Sequence, residues 1–174
     1  MPQSLSPKPV APERVCFDLA DISATRLLAK EILALARPGD VIALAGPIGA
    51  GKTTFARFFI AAAGYEEEVP SPTFNLVQTY EGEDADIWHF DLYRLERPEE
   101  AFELGIEQAL DEAISLIEWP EKITGLLPRE MLLINLRHGA SDDERQVQID
   151  LCGEWADRID AEELSRSFSA HDHD

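Results

Sequence analysis

Basic side chains are scarce in this chain: 15 Lys and Arg stand against 34 Asp and Glu, a formal net charge of −19. A protein that grips nucleic acid alone needs a basic face to displace counterions. A helicase or nucleic-acid kinase acting by itself is therefore excluded unless the few basic residues cluster. Partners should be basic or present basic patches; charge that only keeps the protein soluble explains the composition equally well. Cysteine is nearly absent too. Cys16 and Cys152 are the only two, far apart and in no metal-binding spacing, so a reducing, cytoplasmic setting is the expectation. No apolar run approaches the ~18 residues of a membrane span, and no membrane partner is expected. The first residues, MPQSLSPKPVAPERV, carry three prolines after Pro2 and no apolar core segment. They are expected to form a flexible leader over 1–14 rather than a signal peptide.

What is present is a phosphate-binding signature. The run GPIGAGKTT, Gly46 to Thr54, fits G-x-x-x-x-G-K-[ST], a pattern that average composition produces by chance in about one chain in 200 of this length. VIALA, Val41 to Ala45, precedes it and has the apolar, partly β-branched character of a buried strand. TTFARFFIAAAG follows and reads as a helix that stops at Gly64. Strand, glycine-rich turn and helix form the context in which the motif has physical meaning. Gly46, Gly49 and Gly51 let the backbone curl close to phosphate oxygens. The curled N–H groups, those of Ala50 and Thr54 among them, make an anion nest at a helix N-terminus. Lys52 is expected to reach the β- and γ-phosphates, and the Thr53 hydroxyl to complete a Mg²⁺ shell.

With 174 residues, 45% of them hydrophobic, the chain is long enough for one domain with a real core. Val15 to Leu19 reads as a first strand. A helix follows, capped by Asp21 or Ser23, with Leu27, Leu28, Ile32 and Leu35 at helical spacing, and Pro38-Gly39 ends it. After the P-loop helix, Asn75 to Tyr80 and Ile87 to Phe90 read as strands of a hairpin. Pro98-Glu99-Glu100 starts a short helix ending near Gly105, and Ile106 to Glu112 is a second helical turn. Ile114 to Ile117, Met131 to Leu136 and Val147 to Leu151 read as strands, and Ala161 to Phe168 as a last helix. The expected fold is α/β and P-loop NTPase-like: a mainly parallel central sheet with helices on both faces and antiparallel edge strands. The P-loop domain spans 15–153, followed by an acidic C-terminal helix and tail over 154–174. A nucleotide belongs at the carboxyl ends of the strands.

A P-loop NTPase also needs a carboxylate at a strand end. IWHFD ends in Asp91 and ISLIE in Glu118. Of the two, one would hold the metal and the other orient the attacking water; the residues alone leave the assignment open. Neither N-K-x-D nor T-K-x-D, the guanine-reading element of Ras-type GTPases, occurs, which favours ATP. Ser71 to Phe74, SPTF, stands where a switch loop would reach the γ-phosphate, although Ser-Pro is also ordinary turn chemistry. HFDLYRL, His89 to Leu95, alternates functional and apolar side chains, as an amphipathic strand with a charged exit also would. Trp119, by composition, is more often a core plug than a recognition residue.

GPIGAGKTTFAR, SPTFNLV, HFDLYRL, a Pro-Glu-Glu helix leading to LGIEQALDE, and LIEWPEKI occur in this order. The ordered set resembles the TsaE family over roughly residues 15 to 152; HFDLYRL and IEWPE together are its specific part. One departure is Pro47, where the family often has an acid. The resemblance implies a small Mg²⁺-dependent ATPase that works with the TsaB–TsaD heterodimer in forming threonylcarbamoyladenosine, a modified base next to the tRNA anticodon. Its ATP hydrolysis would reset that complex between turnovers, and tRNA would be met only through the complex. By the same match, Thr53 and Glu118 are the Mg²⁺ ligands, Lys52 holds phosphate, Asp91 is the catalytic or water-orienting acid and Thr73 is the switch-loop hydroxyl. Trp119 would support the site or a partner contact, and adenine would lie near Asp21 to Thr25 and Arg145.

An accessory role removes the conflict between a tRNA-directed pathway and an acidic surface. Two other classes compete. A metabolite kinase would bring an Arg-rich lid, and Arg94 with Arg97 is the nearest approach to one. A non-hydrolysing nucleotide scaffold would have little use for both Asp91 and Glu118. Without an evident arginine finger in cis, turnover of the isolated chain is expected to be weak.

Overall fold

The computed structural model describes residues 13–65, 75–82 and 84–169. Seven strands form one sheet in the order β1-β7-β6-β2-β5-β4-β3. They are β1 (Glu13–Leu19), β2 (Val41–Ala45), β3 (Val77–Tyr80), β4 (Ile87–Asp91), β5 (Ile114–Glu118), β6 (Leu132–His138) and β7 (Arg145–Leu151). The inner four, β6, β2, β5 and β4, run parallel. β7 and β1 extend one side antiparallel and β3 the other. The expected mainly parallel centre with antiparallel edges is what forms, hairpin β3–β4 included.

Burial explains the order. β2 has four buried residues in a row, as a strand covered on both faces requires. β1 alternates exposed and buried residues beyond its first position, as a strand with one open face does. One face of the sheet carries α1 (Ile22–Leu35), α2 (Lys52–Ala62) and α6 (Ala161–Ser169), packed over residues such as Leu44, Leu116 and Ile149. The other carries α3 (Glu100–Glu103), α4 (Ile106–Glu112) and a 3₁₀ segment, Pro120–Leu126, over Phe90 and Ile117. Asp21 caps α1 by accepting from the Ala24 amide at 2.9 Å.

Several boundaries differ from the sequence expectation. β1 begins at Glu13, so Glu13 and Arg14 join the sheet rather than the leader. The cause is pairing across 136 residues: the Arg14 guanidinium binds the Asp150 carboxylate at 2.7 and 3.2 Å. β4 and β5 each run one residue further, taking Asp91 and Glu118 into the sheet as partners in register. β6 and β7 extend to His138 and Arg145. The 3₁₀ segment and α5 (Trp155–Arg158) were not expected. α6 packs onto the domain, with Phe168 stacked on Phe17 at 4.8 Å between ring centroids.

Glycine is needed at Gly46. Its φ is +138°, and a Cβ would sit 2.1 Å from the Leu136 carbonyl oxygen of β6. Gly64 also has positive φ, +107°, but nothing among the described residues lies within 4 Å of a Cβ there. Gly46→Ala is expected to destabilise the fold beyond the about 1–3 kcal/mol of backbone strain alone, while Gly64→Ala costs only about 1 kcal/mol. Urea midpoints of the two variants test this; equal shifts would contradict it.

Candidate active site

The parallel strands point their carboxyl ends to one edge, and the chemistry-bearing residues emerge there. β2 leads into the P-loop, β4 ends in Asp91, β5 in Glu118 and β6 in His138. A cleft of about 330 Å³ opens at this edge. Gly49, Gly51, Lys52, Thr53, Thr54, Asp91, Glu118 and Arg145 line it, together with Ile48, Leu76, Tyr93, Arg94 and Trp119. Gly46 forms the loop's base and Ala50 is buried beneath it. Thr73 lies outside the described residues.

α2 starts at Lys52 with Gly51 in the left-handed region at its N-cap and no side-chain cap. Its first amides therefore have no side-chain acceptor at the cap, the condition for an anion site at a helix start. The Lys52 ammonium donates to the Gly46 carbonyl and, at 2.9 Å, to that of Pro47. It also sits 4.0 Å from the centroid of the Trp119 ring, within cation–π range. Burial pulls the Lys52 pKa below the usual lysine value, and the charges of Glu118, Glu121 and Asp91 oppose that pull.

Glu118 is 2% exposed, and both its carboxylate oxygens are engaged. Oε1 accepts from the Thr53 hydroxyl at 2.7 Å, and Oε2 lies 2.7 Å from Nε2 of His89. Asp91 is partly buried beside it. Burial first, and the Glu118 carboxylate second, push the Asp91 pKa above the ordinary carboxylate value. The Tyr93 amide donates to its Oδ1 at 3.2 Å and partly offsets this. The two carboxyl groups thus sit side by side at the strand ends in different surroundings.

Arg145 does more than line the cleft. Its guanidinium donates to the Ala50 carbonyl at 3.1 Å and to those of Asp142 and Glu144 at 2.6 and 2.8 Å. It ties the P-loop to the β6–β7 loop. A smaller hollow of about 90 Å³ adjoins the cleft, lined by Ile22, Thr25, Thr54, Leu136 and Arg145 among others. The structure thus brings the start of α1 and Arg145 together behind the P-loop. Asp21 itself is occupied as the α1 cap.

Sequence reasoning undervalued three side chains. Trp119 holds φ +61° at the β5 exit, with its ring against both Lys52 and Tyr93, the latter at 4.9 Å. Tyr93 closes the same wall. His89, two residues before Asp91 on the same face of β4, is buried and meets the Glu118 carboxylate from behind the cleft. The alternation in HFD was the available signal, but only the pairing of β4 with β5 turns it into a contact with Glu118.

The family model of "Threonylcarbamoyl adenosine biosynthesis protein TsaE" matches residues 19–147. The chain belongs to the TsaE family. Among curated members, the TsaE protein of Rickettsia bellii (strain RML369-C) is 44% identical over 126 residues, 72% of this chain and 87% of that protein. The TsaE protein of Bacillus subtilis (strain 168) is 38% identical over 143 residues, 82% and 88% of the two chains. Both are described as tRNA threonylcarbamoyladenosine biosynthesis proteins. Among solved structures, Bacillus subtilis YdiB superimposes with a TM-score of 0.71 at 29% identity, covering 94% of this chain and 99% of that one. The family assignment made from the ordered motifs holds, and so does the P-loop-like α/β fold. Among the described residues no helix is long and apolar enough to cross a membrane.

Proposed function

We propose that this chain is a Mg²⁺-dependent ATPase that serves the TsaB–TsaD pair in forming threonylcarbamoyladenosine in tRNA, in the cytoplasm. The observation that carries the reading is the convergence of Lys52, Thr53, Asp91 and Glu118 in one cleft at the carboxyl edge of the sheet. The residues fit the proposed ligands. The left-handed Gly49 and Gly51 shape a cradle without Cβ atoms. The Thr53 hydroxyl donates a hydrogen bond to Glu118, leaving its oxygen lone pairs for a cation. Among the described residues no group of three or more His, Cys, Asp or Glu could hold a metal by itself. Mg²⁺ uses one or two protein ligands plus phosphate oxygens and water, and the Thr53 hydroxyl beside the Glu118 carboxylate offers such a pair. Bound Mg²⁺-ATP supplies a phosphoanhydride whose cleavage releases charge onto phosphate oxygens. Lys52 and the α2 amides would bind that charge, Thr53 and Glu118 would hold the cation, and Asp91 would take the proton of the attacking water. Thr54 and Arg145, with the hollow behind the P-loop, would take the nucleoside end. The net charge of −19 supports contact with tRNA only through the partner pair.

Steady-state phosphate release tests this, measured alone and with the TsaB–TsaD pair. Weak turnover alone and strong stimulation by the pair are expected. Fast hydrolysis unaffected by the pair would contradict the accessory role, binding without stimulation would favour a nucleotide scaffold, and no association with the pair would make a metabolite kinase the reading to test next. The pH profile should be narrower than free side chains would give. Activity is lost on the acid side as pH falls through the raised Asp91 pKa, and on the alkaline side as pH rises through the lowered Lys52 pKa.

A further inference from the structure

His89 is fully buried in the middle of β4, on the sheet face that α2 covers. Its neighbours on that face, Ile87 of its own strand and Leu116 of β5, are apolar and belong to the core. A residue that only filled space there would be apolar as well. Instead the imidazole places Nε2 2.7 Å from Oε2 of Glu118, while its Nδ1 finds no partner among the described residues. An unpaired buried nitrogen is a cost that an aliphatic side chain would avoid. Glu118 accepts from Thr53 on one oxygen and leaves the other to His89. A carboxylate that holds a cation only accepts, so in that role its second bond is accepted from an Nε2–H.

We propose that His89 is the positioning residue for Glu118: from behind the cleft, its Nε2–H fixes the carboxylate so that Glu118 and the Thr53 hydroxyl present one preformed cation site. The proposal rests on the nucleotide reading above and adds a residue to it. The bond spans 29 residues and joins the two strands that carry Asp91 and Glu118. It ties the carboxylate's orientation to the strand that also delivers Asp91. An outer partner of this kind is typically worth 10–100-fold in metal affinity.

The test is calorimetric binding of a slowly hydrolysed ATP analogue to the full chain across a Mg²⁺ series. In His89→Leu, which keeps side-chain bulk and loses the donor, the Mg²⁺ concentration for half-maximal binding should rise about 10–100-fold, with binding in EDTA unchanged. His89→Gln, whose amide Nε2 reaches in the same direction, should recover most of the shift. An unchanged midpoint in His89→Leu, or a His89→Gln as impaired as the leucine variant, overturns the positioning role and leaves the nucleotide reading standing. A wild-type protein without Mg²⁺-dependent binding overturns that reading and the proposal with it. Should His89→Leu fail to fold, long-range ¹H–¹⁵N spectra of the wild-type imidazole decide: a proton on Nε2 is expected, and a proton on Nδ1 sinks the proposal.

Discussion

Lys52→Ala should bind ATP about 10- to 150-fold more weakly and should fail to support tRNA modification in cells. The ammonium lines the cleft, and its charge-assisted bonds to phosphate oxygens would contribute about 1.5–3 kcal/mol. In the structure those protons go to the Gly46 and Pro47 carbonyls, so the side chain is parked on its own loop with Trp119 beneath it. The loss on binding should not be accompanied by unfolding. Removing a lysine whose charge burial disfavours offsets the bonds lost to the two carbonyls and the ring. Calorimetric titration with Mg²⁺-ATP, thermal melts and the threonylcarbamoyladenosine content of tRNA in a complementation strain check the three parts. Wild-type modification levels in the alanine strain would favour a scaffold that does not use phosphate binding.

Asp91→Asn should behave differently. Hydrolysis in the presence of the partner pair should fall by about 10²–10⁴-fold, the usual loss for a positioned general base, with ATP affinity within a few-fold of wild type. Asparagine keeps the shape and still accepts from the Tyr93 amide, which donates to Oδ1 in the native chain, but it cannot take a proton. The melting temperature should be unchanged or higher. The sign follows from the raised pKa: the native state favours the protonated acid, so Asp91 lowers stability as pH rises above its unfolded value, and a neutral amide removes that loss. The acid limb of the pH profile should vanish in the residual activity. Loss of ATP binding equal to that of Lys52→Ala would assign Asp91 to ligand holding instead, and the proton-acceptor role would then pass to another group.

The chain's local chemistry determined a good deal before any packing was known. Gly46 to Thr54 reads as a glycine-rich turn running into a helix start, because its glycines and Lys52 stand at the fixed offsets of a phosphate-binding loop. Val41 to Ala45 is apolar on both faces, as a strand buried inside the sheet is. The acids that close IWHFD and ISLIE marked two more strand ends. These signals are readable because their geometry is set within a few residues. What the tertiary structure alone decided lies across long separations: Glu118 with Thr53 over 65 residues, Glu118 with His89 over 29 and Arg145 with Ala50 over 95. The strand order places β5 and β4 side by side beyond β2, and only that order turns an amphipathic HFD into a buried imidazole on a carboxylate. The entry of Arg14 into β1 and the packing of Phe168 against Phe17 have the same cause. Periodicity reports which face of an element is apolar, but not which distant element that face will meet.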